Sequence, residues 1–290
     1  MEWLAIILAA VLTGLSPAGL VLDQVVANRI RASLKDVEQL AVRIDNVPTT
    51  QILGGKIDRV RIASRGVYPI EGVRIEAIEL ETDALDVSLQ RFRKGGKDAF
   101  VEALRQPAQL AIKLIINETD INQALESPKI KSQLQKLVNR LVPNQDDVQL
   151  QFALSNVHLE FLDNNRIRTE IKLQKANPEN EDPALQGGSS NQPAANPALD
   201  LVLEAGLNVI SGRTLQITDL TGSLNGRKLS TRLLSGFVEG LNQQLDLGRL
   251  EKKENILARI LQLNITDSEI TIATFIRVNP KETRGASRVP

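Results

Sequence analysis

The residues of this chain that could support acid–base catalysis are its carboxylates and one histidine. His158 falls on the polar side of a predicted strand, and the sequence suggests no positioned partner for it. Three nearby carboxylates could act as a paired acid and base: Glu76, Glu79 and Glu81. They alternate with aliphatic residues, however, as on the solvent-exposed face of a sheet. A carboxylate-based hydrolase is a minor alternative, and we expect no enzyme activity.

The sequence contains no signal of other reactive groups or of cofactor sites. The chain has no cysteine, which removes disulfides, thiolate metal ligands and cysteine nucleophiles. Gly54-Gly55-Lys56 lacks the spacing of a phosphate-binding loop and precedes a strand pattern. Basic and acidic residues number 35 each and aromatic residues make up 3%, so neither a positive field nor stacking platforms favour nucleic acid. We expect no metal, no cofactor and no nucleic-acid partner.

One basic cluster stands out, Arg91-Phe92-Arg93-Lys94-Gly95-Gly96-Lys97. A solvated loop would explain it. Contact with anionic lipid headgroups would explain it as well, because each basic residue near such a surface contributes about 1 kcal/mol. In that interpretation the phenylalanine inserts while the basic side chains bind headgroups: Arg91, Arg93, Lys94 and Lys97. Nucleic acid fits less well, since the patch is short and isolated.

The stretch from Trp3 to Leu22 carries no charge and is as long as the roughly 20 residues that span a bilayer. Ser16-Pro17 divides it, because serine and proline favour the start of a helix. We therefore predict a short anchor or signal segment at 1–15, whose removal leaves a soluble, folded protein. Its expected membrane contacts are Trp3, Leu4, Ile6, Ile7 and Leu8. The first basic residues follow this segment, which favours a cytoplasmic body, but the side of the membrane stays open.

The remaining patterns alternate between helices and strands. Aliphatic stripes of helical period predict helices at 17–35, 119–125, 130–141 and 229–245, with Thr119 as an N-cap. Alternating stretches between them predict antiparallel strands. Changes of parity predict β-bulges near Ala77-Ile78 and at Ser155-Asn156, and Asp163-Asn164-Asn165 predicts a hairpin.

The segment 176–198 differs from the rest of the chain. It is rich in proline, glycine, serine and asparagine and has no aromatic or β-branched residue, which predicts disorder. Strand patterns flank it, so we interpret it as a loop inserted within one domain. The expected organisation is an anchor at 1–15, a single domain at 16–279 and a loose tail at 280–290.

Several runs resemble the LmeA-like phospholipid-binding family over roughly residues 17 to 278. They are Asp23 to Leu34, Ile52 to Ile62 (ILGGKIDRVRI), Gly66-Val67-Tyr68-Pro69, Leu80-Glu81-Thr82 and Ile116 to Leu125 (INETDINQAL). The resemblance implies an α+β fold similar to the tubular lipid-binding (TULIP, BPI-like) domains. There a strongly curved antiparallel sheet wraps a long helix and leaves an apolar groove for acyl chains.

The same resemblance implies a bound phospholipid as ligand and a membrane-associated place in a bacterial cell envelope. The chain departs from the family in lacking a lipoprotein cysteine and in carrying the insert at 176–198. Our first hypothesis is a phospholipid-binding protein, with lipid transfer as an extension. The alternative is a non-enzymatic structural or interaction module at the membrane, with a filled core and a protein partner. The sequence leaves open which lipid is bound and whether the first segment is cleaved.

Overall fold

A computed structural model describes residues 22–94, 99–141, 152–175, 198–248 and 256–280. In chain order the helices are α1 (Leu22–Ser33), a 3₁₀ helix (Thr49–Gly54), α2 (Leu89–Lys94), α3 (Ala99–Ala103), α4 (Glu118–Glu126), α5 (Pro128–Leu141) and α6 (Thr231–Gln244). The strands are β1 (Asp36–Asp45), β2 (Lys56–Ile57), β3 (Arg59–Ile70), β4 (Val73–Thr82), β5 (Leu85–Asp86), β6 (Ala108–Asn117), β7 (Phe152–Leu162), β8 (Arg166–Lys175), β9 (Leu199–Ile210), β10 (Thr214–Leu224), β11 (Arg227–Lys228), β12 (Ile256–Ile265) and β13 (Glu269–Val278).

The strands form two large curved sheets in which all neighbours are antiparallel. Sheet 1 has the order β1-β3-β4-β6-β13-β12, and sheet 2 has the order β11-β10-β9-β8-β7. The short strands β2 and β5 pair separately. The α+β class is as expected. A long helix wrapped by a sheet is not found among the described residues, where the longest helices have 14 residues.

Core cluster 1 fills one end of sheet 1. Alternating aliphatic residues of all six sheet 1 strands meet α1 through Val26 and Ile30, which carry the predicted helical stripe. Ile52, Leu104 and the β2–β5 pair close the same end. Burying side chains of this size contributes about 1.5–3 kcal/mol each, so this cluster gives sheet 1 its main support.

The two predicted bulges have different outcomes. The register of β7 and β8 shifts between Leu154 and Asn156, which confirms the bulge at Ser155. The bulge near Ala77-Ile78 is wrong, because β4 pairs there without interruption and the register breaks in β3 instead, between Val67 and Ile70. The change of parity has another cause. Both faces of β4 contain buried apolar residues, Ala77 on one face and Leu80 on the other.

The expected insert links two strands that pair directly. Residues 176–197 connect β8 to β9, whose register runs from Leu173 opposite Leu199 to Arg166 opposite Gly206. Those residues, the expected anchor at 1–15 and residues 281–290 of the expected tail lie outside the described part of the chain. Within the described ranges, every helix is too short or too polar to cross a membrane.

Candidate functional site

Sheet 2 has one apolar face and one charged face. Cross-strand register places a largely aliphatic row on one side, Leu159, Thr169 and Leu203, while Glu160, Arg168 and Glu204 lie on the other. The apolar face of sheet 2 is defined by Val157, Leu159, Phe161, Ile167, Thr169, Ile171, Leu201, Leu203, Ala205, Leu207 and Ile217. This alternation is the pattern of a sheet whose two faces meet different surroundings.

The apolar face of sheet 2 is only partly covered by the described residues. Of the residues that define it, Phe161 alone is fully buried, and the others stay half-buried. A cavity of about 330 Å³ lies against the face, within the range of small-molecule sites. Its lining is eight aliphatic residues and one threonine: Leu159, Ile167, Thr169, Ile171, Leu203, Ala205, Leu207, Ile217 and Leu220.

Helix α6 forms a wall beside this face. Gly222 of β10 lies opposite Leu203, and a Cβ built on it would stand 2.8 Å from a Leu203 methyl group and 3.1 Å from one of Leu229. The glycine therefore lets two leucines approach the sheet closely: Leu229, which precedes α6, and the buried Leu234 of α6. A larger cavity of about 870 Å³ lies between α6 and β10 and shares Leu220 with the first.

Asparagine side chains attach helices to both sides of sheet 2. On the β7 edge, Asn122 of α4 donates to the Leu159 carbonyl at 2.7 Å and accepts from the Leu159 N–H at 2.8 Å. Glu118 accepts from the Phe161 N–H at 2.6 Å. On the β10 side, Asn242 of α6 accepts from the Ile217 N–H at 2.8 Å. These bonds pair backbone N–H and C=O groups along the outer strands, which could otherwise hydrogen-bond to a strand of another chain.

Helix α4 is attached to sheet 1 by an ion cluster around Arg74. The Arg74 guanidinium donates to Glu38 at 3.0 Å, to Glu76 at 2.6 Å and to the buried Asp120 at 2.7 Å. The hydrogen bonds to Glu38 and then to Glu76 raise the pKa of Arg74, and the bond from Arg74 lowers the pKa of Glu38. The run 116–125 thus joins both sheets, and its polar side chains serve structure.

The prediction that Thr119 caps this helix is wrong. Helix α4 begins at Glu118, so its N-cap is Asn117, whose side chain makes no capping bond. Asn117 donates instead to Glu76 at 3.2 Å.

The apolar faces of the two sheets meet at core cluster 2. Phe161 of sheet 2 packs with Ile265 and Ile270 of sheet 1, and half-buried aliphatic residues of both sheets surround them. Asn165, in the predicted β7–β8 hairpin, accepts from the Leu207 N–H through its carbonyl and from the Ile265 N–H through its side chain, both at 2.7 Å. The apolar surface therefore continues from one sheet to the other.

Part of the apolar face of sheet 1 is half-buried as well. A row through the middle of the sheet includes Leu40, Ile78, Leu114, Ile272 and Leu263, all half-buried. A cavity of about 460 Å³ also lies against sheet 1, and its lining includes charged side chains such as Arg61, Glu79 and Lys113. The cavity on sheet 2 is the more apolar of the two.

The structure places the first four residues of the predicted basic cluster, 91–94, on α2, at the end of sheet 1 that holds core cluster 1. Arg91 is exposed, while Phe92 is half-buried and packs against that core. Arg93 and Lys94 belong to α2, and Lys97 lies outside the described residues, as do Trp3, Leu4, Ile6, Ile7 and Leu8. Lipid contact by these residues stays a prediction.

The single histidine lies where the sequence predicted. His158 is exposed on the charged face of sheet 2, opposite Glu170. Within the described ranges no three histidine or carboxylate side chains are grouped so that they could hold a metal ion.

Comparison with known families agrees with this apolar architecture. The model of the LmeA-like phospholipid-binding family matches residues 13–275, nearly the whole chain. The chain belongs to this family. Membership in the LmeA-like family supports phospholipid as the ligand and association with membranes. Searches of curated proteins and of solved structures give no significant match to the chain.

Sequence reasoning identified the strands of sheet 2 but did not single out their apolar face as a site. The alternation at 157–173 and 199–217 was a usable signal. It predicts an apolar face without telling whether other elements cover it, and that coverage is a property of the tertiary structure.

Proposed function

We propose that this LmeA-like chain binds phospholipid by placing the acyl chains against the apolar face of sheet 2. The observation that carries the proposal is the combination of a half-buried aliphatic face with a cavity whose lining contains no charged residue. Family membership supplies the ligand class. In this proposal the face, α6 and α4 together make an apolar groove, with the helices as its two walls.

The energetics favour an acyl chain over water in such a groove. Each buried CH₂ group contributes about 0.8 kcal/mol, so the chain gains in proportion to the length of apolar surface that it covers. That surface extends through core cluster 2 to the half-buried row of sheet 1, which includes Leu114 and Ile272. A chain longer than the cavity on sheet 2 would therefore still find apolar surface.

The proposal includes the finer properties that the family resemblance implies. These are a TULIP-like arrangement, a membrane-associated place in a bacterial cell envelope with the segment 1–15 as an anchor or signal, and movement of lipid between membranes. No catalytic step is part of the proposal, and phospholipid is a ligand in it, not a substrate.

Lipid extraction from the purified protein, followed by mass spectrometry, tests the proposal. We expect phospholipid to be recovered with the protein and to be taken up again after delipidation. Ala205→Phe fills the cavity on the apolar face, so it should lower the recovered lipid. Val202→Phe adds similar bulk to the same strand on the opposite face, where Val202 lies between Glu170 and Ser223, and should leave recovery unchanged.

Two results would overturn the proposal. A folded, delipidated protein that takes up no phospholipid would favour the alternative of an interaction module with a protein partner. Equal lipid recovery from Ala205→Phe and Val202→Phe, with both variants folded, would show that the lipid binds elsewhere on the chain.

A further inference from the structure

We infer that the end of sheet 1 closed by core cluster 1 is a docking face for an anionic phospholipid bilayer. The face is made by the loop from Asn46 to Gly55, the adjacent strand β2 and helix α2. We define the docking face by Val47, Leu53, Lys56 and Arg91. It lies apart from the apolar face of sheet 2 and does not depend on where an acyl chain binds.

Two aliphatic side chains of the docking face extend into solvent. Val47 is 83% exposed and Leu53 is 60% exposed, whereas their neighbour Ile52 is 4% exposed and belongs to core cluster 1. The buried isoleucine therefore holds the loop in place while the other two side chains face outward. Aliphatic groups displayed in this way gain free energy by entering the interfacial layer of a bilayer.

The loop is held against α2 by backbone bonds and shared packing. The Val87 N–H donates to the Gly55 carbonyl at 2.9 Å, just before α2 begins. Leu89 and Phe92 of α2 pack against core cluster 1, which also contains Ile52. The exposed side chains of Val47 and Leu53 and the basic helix α2 therefore belong to one rigid end of the molecule. Since Phe92 packs against this core, Val47 and Leu53 take the inserting role expected of its ring.

Charge identifies an anionic surface as the partner. Helix α2 carries Arg91, Arg93 and Lys94 with no acidic residue, and both Arg91 and Lys56 are exposed. The acidic groups nearby are engaged: Asp86 pairs with Arg105 at 3.0 Å, and Asp58 accepts from the Val47 N–H at 2.8 Å. Basic residues beside exposed aliphatic side chains are complementary to a bilayer, whose anionic headgroups cover an apolar interior.

The course of the chain points to the same end. The Ile44 N–H donates to the Asp23 side chain at 3.0 Å, so the first turn of α1 lies beside the strand that leads to Val47. The uncharged stretch from Trp3 to Leu22 directly precedes this turn. Any membrane contact made by that stretch would bring the docking face toward the same bilayer.

An environment-sensitive fluorophore on the full chain tests the inference. The chain has no cysteine, so Leu53→Cys can be labelled at one position with nitrobenzoxadiazole. We expect its emission to shift to the blue and gain intensity on vesicles of phosphatidylcholine mixed with phosphatidylglycerol, and to change less on phosphatidylcholine alone. Arg91→Gln in the labelled protein should weaken this response about fivefold in apparent affinity, and added salt should weaken it further.

Leu261→Cys is the matched control, because Leu261 is 66% exposed but lies on β12, which contributes no residue to the docking face. Its label should keep its aqueous spectrum when the protein is bound to vesicles. An unchanged Leu53 label on bound protein would overturn the inference and favour a protein partner at this end. Equal shifts of both labels would overturn it too, since they would mean contact without a preferred face.

Discussion

Replacing Asn122 tests how the α4 helix is held against sheet 2. Asn122→Ala removes two hydrogen bonds to Leu159, of 2.7 and 2.8 Å. Each bond contributes about 1 kcal/mol net, so the loss is about 2 kcal/mol. Alanine returns about 0.5 kcal/mol because it is the better helix former. We therefore expect the free energy of unfolding to fall by about 1.5 kcal/mol.

Urea unfolding followed by circular dichroism measures this change. Asn28→Ala is the control, because Asn28 is exposed in α1 and, among the described residues, its side chain bonds only to Gln24, at a long 3.4 Å. It should show the gain in helix propensity with little loss, and so be as stable as the unsubstituted protein or slightly more stable. If Asn122→Ala were as stable as Asn28→Ala, the attachment of α4 to the β7 edge would not support the fold, and our account of the run 116–125 would be wrong.

Three further predictions concern the supports of the site. Arg74→Met leaves the buried Asp120 without its cation, so we expect a loss of about 2 kcal/mol in urea unfolding, between the values for exposed and for buried pairs; unchanged stability would contradict the role of the cluster. Because the bond from Arg74 lowers the pKa of Glu38, this carboxylate stabilises the fold above its ordinary pKa of about 4.5, and the contribution is lost as the pH falls through the lower folded value. Urea unfolding across that acidic range should therefore show a smaller loss of stability in Glu38→Gln than in the unsubstituted protein, and parallel curves would refute the linkage. Gly222→Ala should destabilise by about 1 kcal/mol, because the new Cβ meets Leu203 and Leu229. Gly240→Ala in open space on α6 should instead stabilise by about 0.5–1 kcal/mol, and the same sign for both in thermal unfolding would argue against close packing of α6.

The sequence predicted the elements of this fold well where the aliphatic period was long and unbroken. The helical stripe of α1 and the alternation of β7 and β8 led to the right type of element, including the bulge at Ser155. The prediction from the sequence failed at β4, where a change of parity has two possible causes. A bulge and a strand buried on both faces give the same pattern, and only the cross-strand register distinguishes them.

The candidate site was less accessible from sequence. The resemblance led to the correct family, but the expected long central helix is not among the described residues. How far the apolar face of sheet 2 is covered depends on how α4 and α6 attach to the sheet. Those attachments include hydrogen bonds from single asparagines, Asn122 and Asn242, which have no distinctive sequence signal. The exposed positions of Val47 and Leu53 likewise follow from tertiary packing, because isolated aliphatic residues in a loop have no period to interpret.

Protection of a single cysteine tests the central claim, that acyl chains lie on the apolar face of sheet 2, most directly. Thr169→Cys lines the cavity on that face, and Glu170→Cys follows it on the exposed, charged face of the same strand. The chain has no other cysteine, so the rate of alkylation of each variant reports on one position. We predict that bound phospholipid slows alkylation of Thr169→Cys and leaves that of Glu170→Cys unchanged. Equal rates with and without bound lipid at Thr169→Cys would contradict the claim.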